Sequence, residues 1–285
     1  MDCCAGTKGK HFRSVNFKAI WIGLAGYDRP KVADVVNSVL VKLFNRPLNE
    51  GLRISTDLDL LVTPLANEHR FDTVVILVVG TGSIAMSYRR EGDQFIRTGR
   101  SGGWGNFLGD DGSGYGLGRK GLRFALEAAD ALNLQPQGQK YIGEVDPLAQ
   151  KIFQHFGIDM KAGSPVNLLD RVVTSDHGTQ QDASATKKKI ASVSRIVLDE
   201  SRSNGKAKAI VEAGSNSLVR ILNLLIESQQ IDPASSAVIL AGGLMQNETY
   251  QRMILDKMSS IGKRFGYIRA IGEPVISAAQ SLLES

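Results

Sequence analysis

The sequence has little cysteine and no long apolar run, and both absences narrow the classes of protein to which it can belong. Its two cysteines, Cys3 and Cys4, are adjacent, which suits neither a disulfide framework nor the spacing of a metal site. The longest apolar run, residues 74–79, is far shorter than the roughly 20 residues that span a bilayer. The first residues also carry no apolar core of the kind that directs secretion. We therefore expect a cytoplasmic protein without a membrane partner.

A concentrated positive charge is also lacking. The chain has 34 Lys and Arg against 29 Asp and Glu, a formal net charge of +5. The positive residues are scattered, and their one run of three, residues 187–189, lies in a polar stretch without aromatic neighbours. This pattern favours a solvated surface over a nucleic-acid site. No nucleic-acid partner is expected.

What the chain does have is a segment with eight glycines, residues 102–118, reading GGWGNFLGDDGSGYGLG. Glycine permits a positive φ or a close approach of the backbone to a ligand. The aromatic face of Trp104 and the carboxylate of Asp110 suggest that this segment recognises a sugar. Two other interpretations stay open: a flexible linker, or a core tryptophan with Asp110 or Asp111 capping the next helix.

Short apolar segments alternate with segments of helical periodicity, which predicts an α/β fold. The predicted strands cover residues 17–24, 52–55, 71–79, 84–88, 94–98, 237–242 and 267–271. The predicted helices cover residues 31–44, 58–67, 118–133, 146–156, 166–173, 190–201, 206–228, 250–262 and 274–283. Residues 174–189 are polar and are interpreted as a loop.

Glycine turns follow three of these strands, at residues 25–26, 80–83 and 241–243. Ligands of α/β sheets collect beyond the carboxyl ends of strands. The turn Gly80-Thr81-Gly82-Ser83 suits a phosphate, because its backbone can come close and its hydroxyls can donate. It is not a Walker A loop, and a plain hairpin turn is an equal alternative.

Asp57 ends a predicted strand in the sequence I-S-T-D. A carboxylate at this place can accept the proton of a hydroxyl that attacks phosphorus. Alternatively, Asp57 is the N-cap of the following helix, a position that aspartate favours. Asp59 is expected to be an exposed helix residue.

Taken together and in order, the segments at residues 23–30, 55–57, 80–83, 102–113 and 241–243 resemble the N-acetylglucosamine kinase and BadF/BadG/BcrA/BcrD-type ATPase family. The GGWGNFLGDDGS block is the most specific of them, and the resemblance spans roughly residues 17–283. It implies a two-lobed actin-like ATPase fold with a ribonuclease-H-like sheet in each lobe. Residues 1–70 would form a partial N-terminal lobe on which a terminal helix (274–285) packs, and residues 71–273 the C-terminal lobe.

The resemblance also implies the roles of individual residues. Asp57 would be the base that deprotonates the 6-hydroxyl of N-acetyl-D-glucosamine. Mg²⁺ would neutralise the phosphates of ATP, without a dedicated protein metal site. The sugar would be held by Gly103, Trp104, Gly105 and Asp110, and ATP by Gly80, Thr81, Gly82, Ser83, Gly242 and Gly243. A homodimer is left open as an oligomeric form.

One departure from the family pattern concerns the first phosphate loop, D-G-G-G-T, and the sugar-contacting S-T-N that follows it. The sequence contains neither. We therefore expect an N-terminally truncated family member with an incomplete first lobe and weak or absent phosphorylation. The alternative is a non-catalytic sugar- or nucleotide-binding paralogue. A radical-enzyme activator would need cysteine ligands for an iron–sulfur cluster, which Cys3 and Cys4 do not supply.

Overall fold

A computed structural model of the chain describes residues 17–27, 29–49, 51–65, 70–92, 94–134, 145–160, 165–174 and 182–272. The chain divides into two compact units. Unit 1 consists of Met1–His69 with Glu273–Ser285, and unit 2 of Arg70–Gly272. The helix predicted over residues 274–283 lies outside the described residues.

Unit 1 contains a strand–helix–strand element formed by β1 (Ile20–Gly23), α1 (Pro30–Phe44) and β2 (Leu52–Ser55). The strands are parallel, with Ile20 opposite Leu52 and Gly23 opposite Ser55. Pro30 occupies the first turn of α1, where its missing N–H is not needed. The structure thus confirms the helix and both strands predicted for this region.

The helix predicted over residues 58–67 is a short 3₁₀ helix, Asp59–Leu65. Pro64 lies inside it. Because proline has no N–H and its ring collides with the carbonyl four residues earlier, a regular α-helix cannot continue through this position. The helix predicted here is therefore present as a 3₁₀ helix, and residues 66–67 of the predicted range lie outside the described residues.

Unit 2 is built on a five-stranded sheet in the order β5-β4-β3-β6-β7. Neighbours β3, β4 and β5 pair antiparallel, whereas β6 pairs parallel with both β3 and β7. Strands covered on both faces carry continuous apolar side chains, and the central pair shows this in its buried VVILVV and AVILA sequences. The bounds are Thr73–Val79 for β3, Ser83–Glu91 for β4, Gln94–Gly102 for β5, Ala237–Ala241 for β6 and Tyr267–Ile271 for β7.

The helices of unit 2 cover the sheet and share one apolar core with it. That core joins Leu77 and Val238 of the strands to Leu117, Ile152 and Leu222 of the helices. The helices are α2 (Gly105–Leu108), α3 (Gly114–Asn133), α4 (Pro147–His155), α5 (Pro165–Val173), α6 (Ala183–Ser192), α7 (Ser194–Glu200), α8 (Gly205–Ser228) and α9 (Glu248–Ser260).

The loop predicted over residues 174–189 is wrong for its second half, because α6 begins at Ala183. The Asp182 side chain caps this helix by accepting the N–H of Ala185 at 2.7 Å. The predicted helix over residues 190–201 is likewise divided, since α6 ends at Ser192 and α7 begins at Ser194. An aspartate before an alanine- and lysine-rich stretch was the local signal for this helix.

Helix α8 is long and apolar enough to cross a membrane by length and composition alone. Its buried residues instead form part of the core of unit 2, including Val211, Leu218 and Leu225. It packs against α3, α7 and α9 and against strands β4 and β5. Its apolar composition is therefore accounted for by these contacts.

Glycines in α3 and just before α3 allow the backbones of two other helices, α6 and α8, to approach closely. A Cβ on Gly118 would lie 1.9 Å from the carbonyl oxygen of Ile190 in α6. A Cβ on Gly112 would lie 2.4 Å from the carbonyl oxygen of Gly214 in α8. The buried hydroxyl of Tyr250 also donates to the Gly112 carbonyl at 2.9 Å. The glycine density of this segment thus has a packing cause in addition to any ligand role.

The variant Gly118→Ala tests this packing. An alanine inside an unobstructed helix would stabilise it by about 1 kcal/mol. Here the methyl group must push α6 away, so the free energy of unfolding should fall by roughly 2–3 kcal/mol, measured by urea denaturation. Gly205→Ala is the matched control, because nothing lies within 4 Å of its Cβ position. An unchanged or increased stability of Gly118→Ala would contradict the close contact.

Candidate functional site

Two glycine turns meet at the carboxyl edge of the unit 2 sheet. Strands β3 and β6 are adjacent and parallel, with Val78 opposite Ala241, so both chains leave the sheet at the same edge. Gly242 has a φ of 95°. A Cβ on it would lie 2.5 Å from the carbonyl oxygen of Val79. Only glycine allows both this conformation and this approach, so Gly242 brings the turn after β6 against the turn at residues 80–83.

The turn at residues 80–83, named here the phosphate turn, is held from behind by the first residues of α3. The N–H groups of Gly114 and Tyr115 donate to the carbonyls of Gly80 and Thr81, at 2.8 and 3.2 Å. Within the described residues, the N–H groups of Thr81 and Gly82 donate no hydrogen bond. Successive unpaired N–H groups in a turn form a binding site for an anion.

A cavity of about 550 Å³ opens beside the phosphate turn. This volume lies in the range of small-molecule sites. Its walls come from both glycine turns, the start of α3, and helices α6 and α7. The lining residues are Gly80, Thr81, Gly114, Lys188, Ala191, Ser192, Ser194, Arg195, Leu198, Asp199, Gly243, Leu244 and Asn247.

Lys188 and Arg195 are functional candidates that sequence reasoning missed. Both line the cavity, and neither forms an ion pair with another described residue. In the sequence, the basic run at residues 187–189 favours a solvated surface, because it lies in a polar stretch without aromatic neighbours. The structure instead brings Lys188 to the same cavity as the phosphate turn.

Asp110 lies directly beneath the phosphate turn. Its residue is 6% exposed and has a φ of 62°. One carboxylate oxygen accepts the N–H of Ser83 at 2.9 Å, and the other accepts from Nζ of Lys187 at 3.1 Å. A Cβ on Gly82 would lie 3.0 Å from this carboxylate. Asp110 therefore positions the turn, and its expected contact with a sugar stays a prediction.

Trp104 lies in a loop whose neighbours Gly103 and Gly105 have φ values of 69° and 77°. Its side chain is 55% exposed, so the core-tryptophan alternative is wrong. The capping alternative is wrong as well, since Ser113 caps α3 by accepting the N–H of Gly116 at 3.2 Å. An exposed aromatic ring between two flexible glycines is compatible with the predicted sugar contact, which remains a prediction.

Asp57 lies in unit 1, two residues after the end of β2, and it is exposed. The cap of the following 3₁₀ helix is formed by its neighbours. Thr56 Oγ1 accepts the N–H of Asp59 at 3.3 Å, and a carboxylate oxygen of Asp59 accepts the N–H of Thr56 at 3.0 Å. Thr56 and Asp59 thus supply these two capping bonds, and Asp59 is a half-buried capping partner instead of an exposed residue. The capping interpretation of Asp57 stays an alternative. Asp57 remains the predicted base.

The chain belongs to the BadF/BadG/BcrA/BcrD ATPase family, whose model matches residues 5–280. It is similar to an N-acetylmuramic acid/N-acetylglucosamine kinase of Clostridium acetobutylicum, with 29% identity over 81% of this chain and 66% of the relative. It is also similar to an N-acetyl-D-glucosamine kinase of Dictyostelium discoideum, with 36% identity over 41% of this chain and 34% of the relative. The chain thus spans less than two thirds of the length of either relative.

Two crystal structures resemble the chain in fold. A protein from Porphyromonas gingivalis assigned as an N-acetylglucosamine kinase has a TM-score of 0.63 at 16% identity, covering 94% of this chain and 78% of that protein. A protein from Chromobacterium violaceum with the same assignment has a TM-score of 0.54 at 20% identity, covering 92% and 74%. The expected α/β fold class of the actin-like ATPases is confirmed.

His155, the last residue of α4, contacts a residue of the cavity wall and generates a prediction about pH. Its Nε2 is 2.8 Å from Oγ of Ser192, a residue of the cavity. Burial, and secondly the charge of Arg195, lower the pKa of His155 below its ordinary value of 6.5. The unfolded state therefore takes up the proton more readily than the folded state.

As a result, the free energy of unfolding should decrease as the pH falls from about 7.5 to about 5.5. The variant His155→Gln keeps a hydrogen-bonding side chain but cannot titrate, so its stability should decrease less over this interval. Urea denaturation at both pH values measures the difference. Equal decreases in the two proteins would show that His155 does not contribute.

Proposed function

We propose that the chain binds Mg²⁺-ATP in unit 2 and is an amino-sugar kinase that phosphorylates the 6-hydroxyl of N-acetyl-D-glucosamine. The observation that carries this proposal is the meeting of the phosphate turn and the Gly242–Gly243 turn at one cavity. Membership of an ATPase family supports the nucleotide. The names of the two relatives support the amino sugar.

The triphosphate of ATP would lie on the phosphate turn. The N–H groups of Thr81 and Gly82 would donate to its oxygens, and Lys188 and Arg195 would offset its charge. The Cβ positions of Gly80 and Gly243 face open space, with nothing within 4 Å. The nucleoside would therefore have room over Gly243, and the geometry suits ATP.

A divalent ion would be held mainly by the nucleotide. The described residues contain no group of three or more His, Cys, Asp or Glu side chains that could hold a metal ion. Mg²⁺ at phosphoryl-transfer sites keeps waters and binds phosphate oxygens with one or two carboxylates. Asp199, which lines the cavity, is the carboxylate of unit 2 best placed to serve. When bound, the ion would neutralise charge on the transferred phosphoryl group.

For the sugar, we propose contacts to Trp104 and to the backbone at Gly103 and Gly105. The exposed indole supplies an apolar face for the ring of the sugar. Asp57 would accept the proton of the attacking hydroxyl. Asp110 would hydrogen-bond the sugar directly, and it would also position the glycine-rich segment to which it belongs.

The test uses the purified 285-residue chain with Mg²⁺-ATP and N-acetylglucosamine. Calorimetry should detect ATP binding, and ADP release should depend on the sugar, at a low rate because the D-G-G-G-T loop is missing. Asp57→Asn should lower kcat by about 10²–10⁴-fold, because a general base is removed. Its Kd for ATP should stay within about twofold, since Asp57 lies outside the ATP cavity.

Asp34→Asn is the matched control, because Asp34 is an exposed carboxylate of α1 in the same unit. It should change neither kcat nor the Kd for ATP. Turnover that is unaffected by Asp57→Asn would contradict the proposed base. Sugar binding without any turnover would support the non-catalytic paralogue, and failure to bind ATP would refute the proposal as a whole.

A further inference from the structure

The carboxylate of Asp110 is buried, so water solvates its charge poorly. Its side chain is 3% exposed. A buried carboxylate is tolerated when its charge is paired and its oxygens are hydrogen-bonded. The Ser83 N–H satisfies one oxygen at 2.9 Å. Within the described residues, the only cation paired with Asp110 is Lys187, at 3.1 Å from the other oxygen.

Lys187 reaches this carboxylate from α6, a helix that also forms part of the cavity wall. Its sequence neighbour Lys188 lines the cavity, as do Ala191 and Ser192 one turn later. Nζ of Lys187 lies 5.9 Å from the ring centroid of Tyr115, whose N–H donates to the carbonyl of Thr81. Lys187 is thus placed against Asp110 and Tyr115, two of the three residues that hold the phosphate turn.

We infer that Lys187 is a positioning residue that fixes the phosphate turn through Asp110 and ties it to helix α6. By pairing with Asp110, it holds the carboxylate under Gly82 and keeps the Ser83 N–H engaged. The turn that carries the unbonded N–H groups of Thr81 and Gly82 then keeps its place beside the cavity. The predicted effect of Lys187 on ATP binding rests on the proposed function. Its predicted effect on the phosphate turn does not depend on ATP.

The experiment compares Lys187→Met and Lys187→Arg with the wild-type chain. Removal of the cation leaves a buried unpaired charge, so Lys187→Met should weaken ATP binding by about tenfold or more in calorimetry. Lys187→Arg keeps the charge and should stay within about threefold. Hydrogen exchange of the Ser83 amide, which donates to Asp110, should be faster in Lys187→Met and close to wild type in Lys187→Arg.

Two further variants separate positioning from simple stability. Lys189→Met removes a neighbouring lysine that donates to the carbonyls of Arg171 and Thr174, so it should leave ATP affinity unchanged even if α6 is destabilised. Asp110→Asn removes the charge that Lys187 neutralises. Adding Lys187→Met to it should therefore weaken ATP binding much less than Lys187→Met does alone.

An unchanged ATP affinity in Lys187→Met, or an equal loss in Lys189→Met, would overturn the inference. If the wild-type chain binds no ATP, the proposed function fails and amide exchange decides this inference separately. Faster exchange of the Ser83 amide in Lys187→Met and not in Lys189→Met would then support it. Exchange equal to wild type would overturn it.

Discussion

The arrangement of unit 2 depends on how the buried charge of Asp110 is neutralised. Because a buried carboxylate must be paired, its partners are brought to fixed positions: Ser83 at the start of β4 and Lys187 on α6. Its own carbonyl accepts from the hydroxyl of Ser113, the residue that caps α3, at 2.6 Å. The side chain and backbone of Asp110 therefore position the phosphate turn, the beginning of α3 and helix α6.

The fold of unit 2 could be predicted where local sequence alone determines structure. The runs at residues 74–79 and 237–241 are apolar throughout because both faces are covered, and a glycine follows each. Helix α6 could not be found from periodicity, since none of its side chains is fully buried. Its position depends on the glycine surface of α3, where Gly118 admits the backbone of Ile190. Contacts between distant segments decide such elements, and a short sequence window does not contain them.

The candidate site, like the fold, could be predicted from the sequence only in part. Gly80, Thr81 and Gly242 could be grouped from sequence, because turns after parallel strands meet at one edge of a sheet. Lys188 and Arg195 could not be assigned to the site from sequence. The local sequence around a helical lysine or arginine does not show whether its side chain faces solvent or a cavity. Asp110 was identified as important from its motif. Its contact with Ser83, however, joins residues 27 positions apart and follows only from the fold.

The ATP cavity proposed here lies wholly within the continuous stretch from Arg70 to Gly272, whereas Asp57 belongs to the other unit. In the proposed function, nucleotide recognition and proton abstraction are therefore assigned to different compact units of the chain. A substitution that removes the proposed base from unit 1 would leave every lining residue of the unit 2 cavity unchanged. Under that proposal, catalysis and ligand binding are separable, so a variant without the base would still bind the nucleotide.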